Sequence, residues 1–154
     1  MTEYRRASAD DIDQLVKNRV AMRLEREEGQ CPVSLVEFGE LTRKYFIQHM
    51  GDGSFIAWVA ENDGRIVGTS GMCIYHVPPT YSNLSGKVAY LVNMYTVPEY
   101  RNQGIANGLL ERLIGEARER GCTRITLNAS KAGQPIYEDY GFTEVLGEME
   151  YFLE

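Results

Sequence analysis

Cysteine is scarce in this sequence and falls into no pattern. Cys31, Cys73 and Cys122 are far apart, odd in number and without a CxxC spacing, which argues against a disulfide framework or a zinc site. Cys73 and Cys122 lie in or beside apolar runs, where free cysteine behaves as a small hydrophobe, so neither is read as a nucleophile and no metal is expected. Long apolar runs are missing too. None approaches the roughly 18 residues of a membrane span, so no membrane partner is expected. The opening residues, MTEYRRASADD, have no apolar stretch after their charges. That is unlike a secretory signal, and the expected location is cytoplasmic. Positive charge is in deficit, with 16 Lys and Arg against 22 Asp and Glu for a net charge of −6. An acidic chain does not draw in a phosphate backbone, so nucleic acid is not an expected partner, whereas a negative field would favour a cationic acceptor. Repeats, low-complexity tracts and Pro/Ser-rich linkers are absent. The 154 residues suffice for a hydrophobic core, and 1–154 is read as a single domain.

The pattern of what is present gives an order of elements. Residues 3–7 read as a short strand. Ser8 and Asp11 have the shape of a capping box, followed by Ile12, Leu15, Val16 and Val20 at helical spacing, with Gly29 as the stop. A second helix starts near Ser34, with Phe38, Leu41, Tyr45 and Phe46 as its apolar stripe. Residues 55–61 and 65–75 are β-rich, and Asn62-Asp63-Gly64 between them signals a tight hairpin. Residues 76–87 read as a loop. Residues 88–97, VAYLVNMYTV, suit a central strand covered on both faces. After a turn, Ile105, Leu109, Leu110, Leu113, Ile114 and Ala117 make the buried stripe of a strong helix ended by Gly121. A short strand over 124–129 completes a parallel crossover, right-handed by rule. A short helix over 134–140 stops at Gly141, and 142–153 reads as one or two final strands. The class is α+β, or mixed α/β.

The chemistry points to YTVPEYRNQGIAN, residues 95–107. A strand runs into a glycine-containing turn that opens a helix. The first helix amides lack internal partners and point outward with the positive end of the dipole, which makes a cradle for an anion such as a pyrophosphate. Gly104 lets the backbone come close, Ala106 keeps the next position small, and Arg101 adds positive charge or serves structure. No Gly-Lys-Ser/Thr follows, and the turn holds one glycine. Neither the phosphate loop of nucleotide hydrolases nor the dinucleotide fingerprint fits.

Arg101-x-x-Gly104-x-Ala106 resembles the Q/R-x-x-G-x-G/A signature of GNAT N-acetyltransferases. The preceding NMYTVPEY resembles that family's central strand and the approach to its turn. Residues 129–142, ASKAGQPIYEDYGF, resemble its second motif, which ends in Tyr-x-x-x-Gly-Phe. The element order matches along nearly the whole chain. The resemblance implies a mostly antiparallel twisted sheet with a splayed parallel pair and flanking helices. It also implies acetyl-CoA as cosubstrate and a primary amine of a small molecule or peptide as acceptor. Met94, Tyr95 and Thr96 would line the acetyl and pantetheine arm. Asn102, Gln103, Gly104, Ile105, Ala106 and Asn107, beside Arg101, would hold the pyrophosphate. Ser130 falls where many relatives carry an asparagine on the cofactor. Tyr137 aligns with the usual general acid, and a tyrosine of ordinary pKa about 10 can protonate a leaving thiolate.

Other readings stay open at this point. Tyr137 can anchor the last helix instead, as Tyr140 does. Asn93 and Tyr95 can face the acceptor, or pack. The central strand carries no glutamate to take the amine proton; Glu61 and His76 are the alternatives, and a neutral amine needs no base. Acceptor specificity is expected in the first two helices and the Pro78-Pro79-Thr80-Tyr81 loop, with Asn93 and Tyr81 as substrate-binding residues. A homodimer is compatible with the chain. The competing functions are a non-catalytic acetyl-CoA-binding or sensing domain on the same fold, and an interaction domain whose glycine turn is only structural.

Overall fold

The computed structural model describes residues 1–27, 29 and 33–153, and Cys31 lies outside the described residues. Alternating and continuous apolar runs build a five-stranded sheet from β1 (Glu3–Arg6), β2 (Phe55–Asn62), β3 (Arg65–His76), β4 (Lys87–Thr96) and β5 (Arg124–Leu127), in that spatial order. The first four strands pair antiparallel and β4 pairs with β5 in parallel. Among the described residues, four α-helices flank the sheet: α1 (Ile12–Arg26), α2 (Leu35–Asp52), α3 (Ile105–Glu119) and α4 (Gln134–Tyr140).

Because side chains alternate along a strand, each face takes its own helices. Ile56, Met72, Ala89 and Leu91 pack under Leu110, Leu113, Ile114 and Ala117 of α3. Phe55, Ala57 and Val59 face the other way, onto Ile12 and Leu15 of α1 and Phe46 of α2. The stripe expected on α3 is buried at all six positions. The hairpin turn also forms as expected, with φ of 50° at Asp63 and 75° at Gly64, the left-handed pair that matches strand twist. Helix entry at α1 uses the Asp11 carboxylate, which accepts from the Ser8 amide at 2.8 Å. Gly29, with φ of 81°, sits just beyond the end of α1 and donates to the Leu24 carbonyl at 2.7 Å.

Two expectations need correction. Leu41 does not belong to the buried stripe of α2: it is 58% exposed, while Thr42 and Phe46 are buried. The helix is rotated so that a threonine, bonded back to the Phe38 carbonyl at 2.7 Å, faces inward. The final strands over 142–153 do not form either. Gly147 takes φ of 100° in the middle of the run, which breaks an extended stretch. Val145, Leu146, Met149, Tyr151, Phe152 and Leu153 stay exposed. The sheet thus ends at β5, which stops at Leu127 rather than residue 129.

A buried charge locks α3 to the sheet. Glu116 is 4% exposed. It accepts from Trp58 Nε1 at 3.2 Å and Arg120 Nε at 3.2 Å, and it pairs with Arg6. Burial pushes its pKa up, but the bonds from Arg6, Arg120 and Trp58 outweigh that and leave it below the ordinary glutamate value. A depressed carboxylate stabilises the fold above its unfolded pKa, and that contribution disappears as pH falls through the folded value. Glu116→Gln is expected to lower stability by about 1–3 kcal/mol at pH 7. The gap between the two proteins should shrink in acid. Urea unfolding at pH 7 and pH 3 checks both statements, and a gap independent of pH would contradict them.

Candidate functional site

β4 and β5 pair only from Val88 opposite Arg124 to Leu91 opposite Leu127. β4 runs on to Thr96, so the two strands part after Leu91. Just beyond that point β4 bulges. Thr69 faces Tyr95 and Gly71 faces Val92, so Asn93 and Met94 stand against Ser70 alone. A bulge of this kind breaks the ladder and re-aims the side chains around it. Asn93 takes φ of 62°, a left-handed conformation in which asparagine is enriched. The sequence reading missed this bulge. Its signal was an asparagine in the middle of an otherwise apolar run.

The gap opens into a groove of about 660 Å³. Its walls are one face of α1, residues 90–96 of β4, the turn before α3, and the segment from Asn128 through Tyr137. Most of the residues singled out in sequence meet here. Asn93, Met94, Tyr95, Thr96, Arg101, Asn102, Gly104, Ile105, Ala106, Asn107, Ser130 and Tyr137 all line it. At one end the chain turns sharply, with φ of 61° at Asn102 and 81° at Gly104, where α3 begins. A side chain built on Gly104 would meet no protein atom within 4 Å. Glycine is therefore needed there for its φ and leaves the space before the helix amides open.

Several side chains are already engaged. The Arg101 guanidinium donates to both Glu25 oxygens at 2.9 and 3.0 Å and to the Thr96 carbonyl at 2.9 Å, so it ties α1 to the turn. Tyr95 donates to Glu25 at 3.3 Å, beneath the Arg101 guanidinium 5.4 Å from its ring. Burial, with Glu25 beside it, raises the Tyr95 pKa. The Ser130 hydroxyl accepts from the Gly133 amide at 3.1 Å and so orders the entry to α4.

Others are unengaged. Asn93 is 2% exposed, and neither polar atom of its amide has a hydrogen-bond partner. Leaving a buried amide unsatisfied is costly, and this one lines the groove. The Tyr137 ring packs edge-on against Phe142 at 5.9 Å and lines the groove. Burial raises its pKa above the ordinary tyrosine value, partly offset by the nearby Arg26, so the phenol is protonated at neutral pH.

Four sequence candidates lie elsewhere. Gln103 turns back to the Glu99 carbonyl at 3.4 Å and its side chain is absent from the groove wall. Tyr81 is fully exposed on the loop that joins His76 to Lys87, at the opposite end of β4 from Thr96, and does not reach the groove. His76 ends β3 at that same far end, paired with Lys87. Glu61 is held by Arg5 at 2.9 Å on the β1 side of the sheet. Neither can serve as a base in the groove. Sequence reasoning also missed Arg19 and Arg26, groove-lining residues of α1 that no motif marks.

Known proteins share this architecture. The model of the acetyltransferase (GNAT) family matches residues 21–142. The crystal structure of a predicted acetyltransferase with acetyl-CoA from Clostridium acetobutylicum superposes with a TM-score of 0.90 and 34% identity over 99% of this chain and 96% of that one. A GCN5-related N-acetyltransferase from Ralstonia eutropha gives a TM-score of 0.89 and 29% identity over 99% of both chains. A probable N-acetyltransferase family 8 member 5 from Mus musculus is 34% identical over 109 residues, 69% of this chain and 44% of its own length. A glucosamine 6-phosphate N-acetyltransferase from Trypanosoma brucei brucei is 30% identical over 51% of this chain and 52% of its own length. The chain thus spans about half the length of the curated relatives it matches.

Proposed function

This chain belongs to the GNAT acetyltransferase family, and from that premise we propose that it transfers an acetyl group from acetyl-CoA to a primary amine of a small molecule or peptide. One observation carries the reading. A single groove runs from the Gly104 turn, past the Asn93 bulge, to the Tyr137 phenol.

The residues fit acetyl-CoA. The open space before Gly104 and the first amides of α3 suit a pyrophosphate. Residues 94–96 of the freed half of β4 suit the pantetheine arm, as a strand edge offers backbone hydrogen bonds. Acetyl-CoA supplies the activated acyl group, whose thioester carbon is attacked by the amine nitrogen as the C–S bond breaks. Tyr137 gives its phenolic proton to the leaving sulfur and is reprotonated from water, while the surplus amine proton passes to solvent. Burial keeps the phenol in its acid form. Asn93 orients the incoming amine, since a carboxamide oxygen accepts a hydrogen bond but does not take a proton at neutral pH. Holding both reactants in line supplies much of the remaining acceleration.

The second reading, a binding or sensing domain, has one observation in its favour. Among the described residues, Glu25 is the only carboxylate lining the groove, and Arg101 occupies it. Calorimetric titration with acetyl-CoA, followed by turnover assays on a panel of amines, separates the two. Binding with turnover supports the enzyme, and binding without turnover supports the sensor. Absence of binding removes both.

Asn93→Ala provides a sharper check. Loss of the orienting amide is expected to lower kcat/KM for a good acceptor about tenfold, an effect of one neutral hydrogen bond. Acetyl-CoA affinity and the shape of the pH profile should stay as they are. Normal kinetic constants in a destabilised variant would reduce Asn93 to a residue that serves the left-handed bulge.

A further inference from the structure

The groove-facing side of α1 is cationic although the chain as a whole carries −6. Arg19, Arg23 and Arg26 lie at i, i+4 and i+7 and share one helix face, and all three line the groove. Arg101 and Glu25 neutralise each other. Arg23 leans on Glu27 at 3.2 Å, an exposed pair. Arg19 is different. It is half-buried, and among the described residues it has no hydrogen bond and no ion-pair partner. The titratable groups that act on it most strongly are Arg23, Cys73, Tyr45 and Tyr90, none of them a carboxylate. Desolvation, together with the like charge of Arg23, pushes its pKa down. A guanidinium drawn partly out of water without a counter-ion costs stability, and folding alone gains nothing from it.

Its position separates it from the cofactor. The proposed pyrophosphate cradle is at the Thr96 end of β4, where Arg101 reaches the Thr96 carbonyl. Arg19 stands six residues, roughly 9 Å of helix, before the Glu25 that Arg101 holds, and it shares the groove wall with Tyr90, six residues before Thr96 on β4. Tyr90 accepts a hydrogen bond from Asn128 Nδ2 at 2.8 Å, and both residues line the groove. Asn93 and the point where the strands part lie between the two ends. An acceptor whose amine reaches the bulge would extend its far end toward Arg19.

We infer that the acceptor is an amine that also carries an anionic group, a carboxylate or a phosphate, and that Arg19 is the side chain that receives it. This rests on the reading that the groove binds an amine acceptor beside acetyl-CoA. The site disfavours polyamines and other cationic acceptors, although the net charge of the chain would attract them.

The test uses the full chain saturated with CoA. Matched amines on one carbon skeleton end in an alcohol, a carboxylate, a phosphate ester or a second amine, and their binding is measured by calorimetry. Turnover with acetyl-CoA is measured in parallel. The carboxylate or phosphate member should bind at least about tenfold more tightly than the alcohol, as expected of one charge-assisted hydrogen bond, and the comparison of the two anions tells which is preferred. Arg19→Gln should erase that preference, raise KM for the anionic acceptor and leave the CoA Kd unchanged. Its melting temperature should hold or rise, because an unpaired charge has been removed. Equal binding across the panel, binding by none of its members, or a lowered melting temperature with the preference intact would overturn the inference. If CoA itself does not bind, the functional reading fails first, and the calorimetry of that step distinguishes the two failures.

Discussion

Gly104→Glu is expected to cut CoA affinity by two to three orders of magnitude. Gly104 precedes α3 with φ of 81° and an open space where a side chain would stand. A glutamate there projects bulk and negative charge into the proposed pyrophosphate cradle. Two like charges about 4 Å apart at an effective dielectric near 20 cost about 4 kcal/mol, which corresponds to that loss in Kd. The positive φ also strains any side chain by about 1–2 kcal/mol. Gly104→Ala shares this strain without the charge and serves as the control. Circular dichroism should find both variants folded. Calorimetry should find the alanine protein weakened modestly and the glutamate protein severely. Unchanged CoA binding by a folded Gly104→Glu protein would remove the cradle from the proposal, and with it the function of the turn.

Tyr137→Phe is expected to lower kcat about a hundredfold or more, within the range that a positioned general acid contributes, while acetyl-CoA affinity changes little. The ring keeps its edge-on contact with Phe142, so packing and stability should hold. The pH profile supplies a second readout. The Tyr137 pKa is raised by burial, tempered by Arg26. The wild-type rate should therefore decline only above the ordinary tyrosine range as the phenol loses its proton. The phenylalanine variant should be slow and lack that alkaline limb. Equal turnover of the two proteins across pH would leave Tyr137 an anchor for α4 and would direct attention to water as the proton donor.

Much of this architecture is legible in the sequence because it follows from local rules. The stripe on α3 is buried as its spacing requires, since burial of one helical face is fixed by periodicity. The hairpin at Asp63-Gly64 forms where turn chemistry demands left-handed residues. The glycine turn before α3 is likewise a local matter of φ and helix ends, and the groove collects the residues marked by both motifs, with Gln103 turned aside.

What the sequence could not decide is which residues meet across the sheet. The far loop with Tyr81 carries an aromatic residue and prolines, yet the antiparallel run of β3 into β4 puts it at the wrong end of the strand. Residues 142–153 read as one or two final strands, but pairing needs a partner edge in register, and Gly147 takes φ of 100° within the run. The bulge at Asn93 depends on a mismatch between β3 and β4, which neither strand encodes alone. The unpaired Arg19 is an ordinary helical arginine in sequence. Only the packing of α1 over the sheet places it on the groove wall, because burial and the loss of counter-ions are properties of contacts between elements distant in the chain.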